Sequence, residues 1–244
     1  MVRKANITLL FMSLKNISFP EEPINYLIPT WDEINGLAFK IARQMLKDGK
    51  KFDRIVTLAK GGWPMTRSLV DFLSVDKVVS LGIKFYSGIN QRFSEPKIYQ
   101  DFPVKLTNEI VLLFDDVADT GQSFQFTKNH LQKNNVKSIT TASLFYKPHS
   151  LFQPDYYGFK TSAWIIFPYE TIESIKFLLN KWTNQGLTPS VIKARFLRFG
   201  FPKNQDFYPV NFQRNYRRRR KENQQIGSPG AFHNRKNQTK PGNN

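Results

Sequence analysis

Apolar and polar positions alternate along this chain with helix-like and strand-like spacings, and its sharpest feature has neither. Residues Ile110 to Phe114 are five apolar side chains in a row. That is too short for an independent helix and is the pattern of a strand buried on both faces, as in the middle of a parallel sheet. Phe124, Phe126, Thr127 and Leu131 then predict an amphipathic helix to about residue 134. Upstream, Thr30-Trp31-Asp32-Glu33 reads as a capping box, with Ile34, Leu37, Ala38, Ile41, Met45 and Leu46 at helical spacing until Gly49 closes the helix. Residues 54–58 predict a strand, and Pro64 opens a helix whose buried side is Leu69, Val70, Phe72 and Leu73. Residues 78–86 and 138–146 predict two more strands. Short apolar runs at 156–159 and 164–167 follow, then helical stretches at 171–185 and about 188–199. Strands alternating with helices predict an α/β fold, a mostly parallel sheet covered by helices through right-handed crossovers. Ligands of such sheets sit beyond the carboxyl ends of the strands.

Three stretches fall outside this alternation. Residues 1–25 have no clear period and read as a loosely attached extension. Residues 87–103 are polar, and a polar loop of that length in a compact domain is functional or disordered. From about Tyr208 the chain is Gly, Pro, Asn, Gln, Arg and Lys with few apolar residues, which cannot bury enough surface to offset ordering entropy. The expected organisation is therefore an extension over 1–25, a main domain over 26–170, a helical appendage over 171–207 and a disordered basic tail over 208–244. The tail has nine basic residues against Glu222, a net +8 of the whole chain's +17. Cysteine is absent from all 244 residues, which excludes a disulfide framework, a Cys-ligated zinc and a thiol nucleophile. No run approaches membrane-spanning length, and the apolar stretch near Met1 lacks the cleavage site of a secretory signal. The chain reads as soluble and cytoplasmic.

Chemistry concentrates where the apolar run stops. Asp115 and Asp116 follow Phe114 directly and cannot stay unpaired in an apolar core. Asp119, Thr120, Gly121, Gln122 and Ser123 come next, just before the predicted helix. Strand, acidic turn, small-residue loop and helix in that order form an anion site, because the backbone N–H groups opening a helix are unsatisfied and partly positive. An ordinary capped turn would account for Thr120 and Gly121 but not for three aspartates. Ala59-Lys60-Gly61-Gly62 lies at the end of another predicted strand, so both loops should face one crevice. G-x-G-x-x-G and G-x-x-x-x-G-K-[ST] are both absent, which leaves a dinucleotide site and a P-loop unsupported.

Residues 110–123 resemble the ribosyl-pyrophosphate signature of the type I phosphoribosyltransferases throughout. The likeness extends over roughly Tyr26 to Glu170 and is nearest to the prokaryotic xanthine-guanine and hypoxanthine-guanine enzymes. The resemblance implies a type I phosphoribosyltransferase fold and transfer of a 5-phosphoribosyl group from phosphoribosyl pyrophosphate to N9 of a 6-oxopurine (guanine, hypoxanthine or xanthine). Asp115 and Asp116 would then hold the ribose hydroxyls, directly or through magnesium-bound water, with Mg2+ as cofactor. Asp119 would handle the N7 proton as general acid/base. The amides of Asp119 to Ser123 with the Thr120 and Ser123 hydroxyls would seat the 5-phosphate, and Ala118 stands with them among the substrate-binding residues. Lys60, Gly61 and Gly62 resemble the pyrophosphate loop, in which the family carries a cis peptide, placed here at Lys60–Gly61. Residues 86–103 resemble the family's mobile loop, which would bring Arg92 to the pyrophosphate. Lys147 resembles the lysine that donates to O6 of the base and disfavours adenine. Trp164 and Ile165 resemble the segment that stacks on the base, with core packing as the plainer reading of Trp164. Ile166 stands where some of these enzymes have an acidic residue, which leaves recognition of the purine 2-position open. A homo-oligomer is also implied.

The competing class is a regulator on the same fold that senses phosphoribosyl pyrophosphate and binds nucleic acid through its basic tail, supported by the run Arg217 to Lys221. Lys147 and Trp164 favour the enzyme, since a sensor of the sugar pyrophosphate would not need base-binding elements. Weak, non-specific nucleic-acid binding by the tail is compatible with either.

Overall fold

The structure, a computed structural model, describes residues 14–86 and 95–201. Its centre is a six-stranded sheet in the order β5-β4-β3-β6-β7-β8. Here β3 is Arg54–Ala59, β4 Val78–Tyr86, β5 Glu95–Gln100, β6 Ile110–Ala118, β7 Ser138–Tyr146 and β8 Tyr156–Lys160. The neighbours from β4 to β8 run parallel and β5 alone is antiparallel. The unbroken run sits where its composition requires, as the strand β6 between β3 and β7. Val111, Leu112, Leu113 and Phe114 are all fully buried. Alternation along β6 divides them between two cores. Leu112 and Phe114 pack with Ile34, Ile41 and Met45 of α1 (Trp31–Lys47) and Met65 and Leu69 of α2 (Trp63–Leu73). Val111 and Leu113 pack with Phe124 and Leu131 of α3 (Gln122–Lys133). Helices thus cover both faces of the sheet, which is the fold class expected.

The capping box is complete: Glu33 N–H donates to Thr30 Oγ1 at 3.2 Å while Glu33 Oε2 accepts from the Thr30 amide at 2.7 Å. Two readings change. The buried side of α2 is Met65, Thr66 and Leu69; Val70, Phe72 and Leu73 are only partly buried, at the rim of the core. The stretch read as one polar loop ends early, because Glu95–Gln100 forms β5 against β4, with Ile98 opposite Ile83. Tyr99 lies over Gly82, where a Cβ would meet its ring, so a glycine in β4 and an aromatic in β5 pack what looked like loop.

A second sheet of three short strands was not foreseen. It joins β1 (Asn16–Ser18), β2 (Asn25–Leu27) and β9 (Trp164–Ile165), with β1 antiparallel and β9 parallel to β2. Part of the supposed extension is therefore built into the fold, and Ile17 and Phe19 are buried. The chain forms two compact units, Met1–Thr171 and Ile172–Asn244. In the second, α4 (Thr171–Asn184) and α5 (Pro189–Phe199) enclose an aromatic group in which Trp182 touches Phe196 and Phe199 at ring separations of 5.3 and 5.9 Å. The tail expected from Tyr208 lies outside the described residues. Among those described, no helix is long and apolar enough to cross a membrane.

Candidate active site

Three strand ends build the site. At the end of β3, Thr66 Oγ1 donates to the Gly62 carbonyl at 2.7 Å and lies 2.8 Å from Thr57 Oγ1, tying the loop Lys60–Gly62 to the strand before it and the helix after it. A Cβ on Gly62 would collide with Thr57 Oγ1 and stand 3.0 Å from the carbonyls of Leu58 and Phe114. The cis peptide lies between Ala59 and Lys60, one residue before the position expected at Lys60–Gly61. From Lys60 onward the chain is already turning into α2, with Gly62 N–H donating to Leu58 O at 3.0 Å and Trp63 N–H to Lys60 O at 3.2 Å.

At the end of β6, Asp116 is 6% exposed. Tyr169 O–H donates to its Oδ2 at 3.0 Å, and its own amide donates to Asp115 Oδ1 at 2.9 Å. A Cβ on Gly61 would lie 2.5 Å from the Asp116 carboxyl, so the two loops meet here with room for glycine only. Burial pushes the Asp116 carboxyl up to about 6, against the hydrogen bond from Tyr169, which pulls it down. Burial lifts Asp115 well above the usual carboxylate range, and the neighbouring Asp116 charge adds to this. Tyr169, half-buried beside that carboxylate, is held protonated far above the ordinary phenol value.

Beyond β6 the chain passes through exposed Asp119 and Thr120 to Gly121, which caps α3 at φ +84 with no side-chain hydrogen bond. A Cβ there would fall 2.6 Å from Phe152 N and Ser150 Oγ. Leu151 N–H donates to Thr120 O at 3.0 Å, which pins the loop from outside. Gln122 N–H donates to Thr120 Oγ1 at 3.4 Å, and the amides that follow it in the first turn of α3 have no carbonyl partner within the helix, as an anion site needs. Ala118 is buried, and its carbonyl accepts from Lys147 N–H at 3.0 Å, linking the ends of β6 and β7.

The Lys147 side chain is buried and its Nζ donates to the Ala163 carbonyl. That burial lowers its pKa, and the Asp119 charge works the other way. The ammonium thus reaches the segment that carries Trp164 and Ile165. Trp164 is 43% exposed, so its plainer reading as core does not hold. Ile165 is half-buried and packs on the core of α1, while Ile166 is buried with its N–H donating to Leu27 O at 2.8 Å. Arg92 lies outside the described residues. Sequence reasoning missed Tyr169, the Thr57–Thr66 pair, and His149, whose Nε2 stands 3.0 Å from Asp119 Oδ1. Only His149 carried a signal, lying two residues from Lys147.

A close-packed glycine loop against buried carboxylates, beside an uncapped helix start and a cation at the next strand end, can bind a phosphorylated sugar with several anionic groups. Comparisons with known proteins agree. A family model, the phosphoribosyl transferase domain, matches residues 28–172, more than half the chain. The xanthine-guanine phosphoribosyltransferase of Gluconobacter oxydans is 24% identical over 152 residues, 62% of this chain and 88% of that protein. The crystal structure of a purine phosphoribosyltransferase from Pyrococcus horikoshii is 30% identical, with a TM-score of 0.54 over 59% of this chain and 93% of that one. The Helicobacter pylori xanthine-guanine-hypoxanthine phosphoribosyltransferase, 19% identical with a TM-score of 0.53 over 62% of this chain and 98% of that one, shares the fold. The chain belongs to the phosphoribosyl transferase family, on its purine-enzyme side, and is a pentosyl-transferring enzyme.

Proposed function

We propose that the protein transfers the 5-phosphoribosyl group of phosphoribosyl pyrophosphate to N9 of a 6-oxopurine and releases pyrophosphate. The observation that carries this reading is the contact of Gly61 with Asp116, which brings the pyrophosphate loop against the acids that would hold the ribose. In the reaction the bond from C1 of the ribose to the pyrophosphate oxygen breaks, the bond from C1 to N9 forms, and the purine loses one proton. Asp115 and Asp116 grip the ribose hydroxyls, and their negative field suits the positive charge that develops on the sugar. Asp119 accepts the proton at N7. Amides of Asp119 to Ser123 hold the 5-phosphate, and Lys60 to Gly62 hold the diphosphate as it departs. Lys147 donates to O6 of the base, and Trp164 covers its face with Ile165 alongside.

Among the described residues no three His, Cys, Asp or Glu side chains form a metal cage. Two adjacent carboxylates beside a phosphate loop nevertheless fit magnesium, which keeps several waters and takes only one or two protein carboxylates. Asp115 and Asp116 would hold it, mainly through water, and it would supply charge neutralisation on the pyrophosphate. The names of the Gluconobacter and Helicobacter proteins support a 6-oxopurine substrate. Steady-state assays with magnesium, phosphoribosyl pyrophosphate and each of guanine, hypoxanthine, xanthine and adenine test the proposal. Guanine or hypoxanthine should be converted and adenine poorly used; no turnover of any purine refutes it. Lys147→Ala should erode the preference for 6-oxopurines.

A further inference from the structure

The Asp116 carboxyl is enclosed from two sides by groups far apart in sequence. On one side lies Gly61, so close that no side chain fits between them. On the other the Tyr169 hydroxyl donates to Oδ2 at 3.0 Å. The tyrosine is itself held. Its ring stacks on Phe167 at 5.0 Å and 14°, and leans on Trp31, the first residue of α1, at 5.8 Å. Phe167 in turn meets Phe145 of β7 edge-on at 5.6 Å, and both are buried. The hydroxyl is therefore fixed to the core through two elements, at the end of the segment that carries Trp164 and Ile165. A carboxylate that must meet sugar hydroxyls needs one orientation, and packed neighbours supply it more reliably than the free side chain does.

We propose that Tyr169 is a positioning residue for Asp116, its hydroxyl engaging one carboxylate oxygen so that the other faces the ribose hydroxyls of the sugar pyrophosphate. This rests on the phosphoribosyl-transfer reading of the site. The role is one of orientation: the hydroxyl contacts neither the base nor the anionic groups of the substrate. Purine binding should therefore not depend on it.

Tyr169→Phe keeps the ring and its packing and removes only the donor. The full-length variant and wild type are compared by steady-state kinetics and by calorimetric titration with phosphoribosyl pyrophosphate and magnesium, with melting temperature as the fold control. Expected is a loss of about ten- to hundredfold in kcat/KM for the sugar pyrophosphate and in its calorimetric affinity, as for losing one hydrogen bond to a charged group. The KM for the purine should stay within about twofold, and the melting temperature should fall by no more than the few degrees that one lost hydrogen bond costs. In an Asp116→Asn background, Tyr169→Phe should add almost nothing, because the two act through one contact. Unchanged binding and kinetics in Tyr169→Phe would overturn the proposal. So would parallel losses in both KM values and kcat with a fallen melting temperature, which would mark Tyr169 as structural. Wild type that binds the sugar pyrophosphate but turns over no purine would defeat the catalytic reading alone, and the calorimetric comparison would still decide Tyr169. No calorimetric binding by wild type would overturn both.

Discussion

Asp115, Asp116 and Asp119 lie within five residues, yet their surroundings give them different work. Asp119 is exposed at the mouth of the loop, where it can meet a base. Replacing it with Asn keeps the shape and removes the proton acceptor, so kcat should fall by roughly 10²–10⁴-fold while calorimetric affinity for the sugar pyrophosphate largely survives. A near-normal kcat would move the proton role elsewhere. Asp116 allows a second test, on stability. Its carboxyl is raised to about 6 in the folded protein, against an ordinary value of about 4 in the unfolded chain. Between those values the folded state holds more protons than the unfolded one, so stability falls as pH rises from about 4 to about 6 and levels off above. Asp115, also raised, acts in the same sense. Glu109, lowered first by its hydrogen bond from Arg54, acts in the opposite sense, but it cancels when wild type is compared with Asp116→Asn. Metal-free denaturant unfolding from pH 4 to 7 should show wild type losing stability relative to the variant across this window. A constant difference between them would contradict the burial of that charge.

At the scale of elements, strands and helices with full periods were legible and pieces that depend on a distant partner were not. β6 announced itself because burial on both faces leaves no polar position. β5 was read as loop because Glu95, Lys97 and Gln100 look solvated and only its pairing with β4 reveals a strand. The three-stranded sheet was invisible for the same reason, since strands of two or three residues carry no period. Of the site, order and spacing marked the acidic turn and the glycine loop at two strand ends, while Lys147 and Trp164 stood out only through the family resemblance. Tyr169 could not be found, because its meaning lies in an acceptor 53 residues away in sequence. Glycines in site and non-site positions also differ in what they do. Gly61→Ala should lower kcat/KM for the sugar pyrophosphate at least about tenfold, because the added methyl displaces a buried, hydrogen-bonded carboxylate. Gly49 has φ +69 and open space around it, so Gly49→Ala should cost about 1 kcal/mol of stability and leave kcat unchanged. Kinetics and unfolding of the two variants side by side check both statements.

For the whole molecule, the open matter is the basic end of the chain. Nine of the chain's 36 basic residues fall between Tyr208 and Asn244. Removing residues 208–244 should leave kcat and melting temperature close to those of the full chain. Full-length protein should bind nucleic acid weakly and without sequence preference, and that binding should drop steeply with salt, since neutralising phosphates releases counterions. Fluorescence anisotropy with duplexes of unrelated sequence at several salt concentrations separates the outcomes. Tight, sequence-dependent binding at high salt would favour the regulator, and lost activity on truncation would give the tail a part in the site.

The pairing of β2 with β9 joins Tyr26 to Trp164 and Leu27 to Ile165, across nearly the whole length of the main unit. During synthesis the Lys60–Gly62 and Asp119–Ser123 loops leave the ribosome together with β3, β6 and their helices. The β9 segment cannot pair until residues near 165 emerge and reach back to a strand made among the first. Contacts of such separation form late and slowly. On the proposed assignment, a chain stopped short of β9 would have both strand-end loops but neither the base-covering segment nor the tyrosine that orients Asp116.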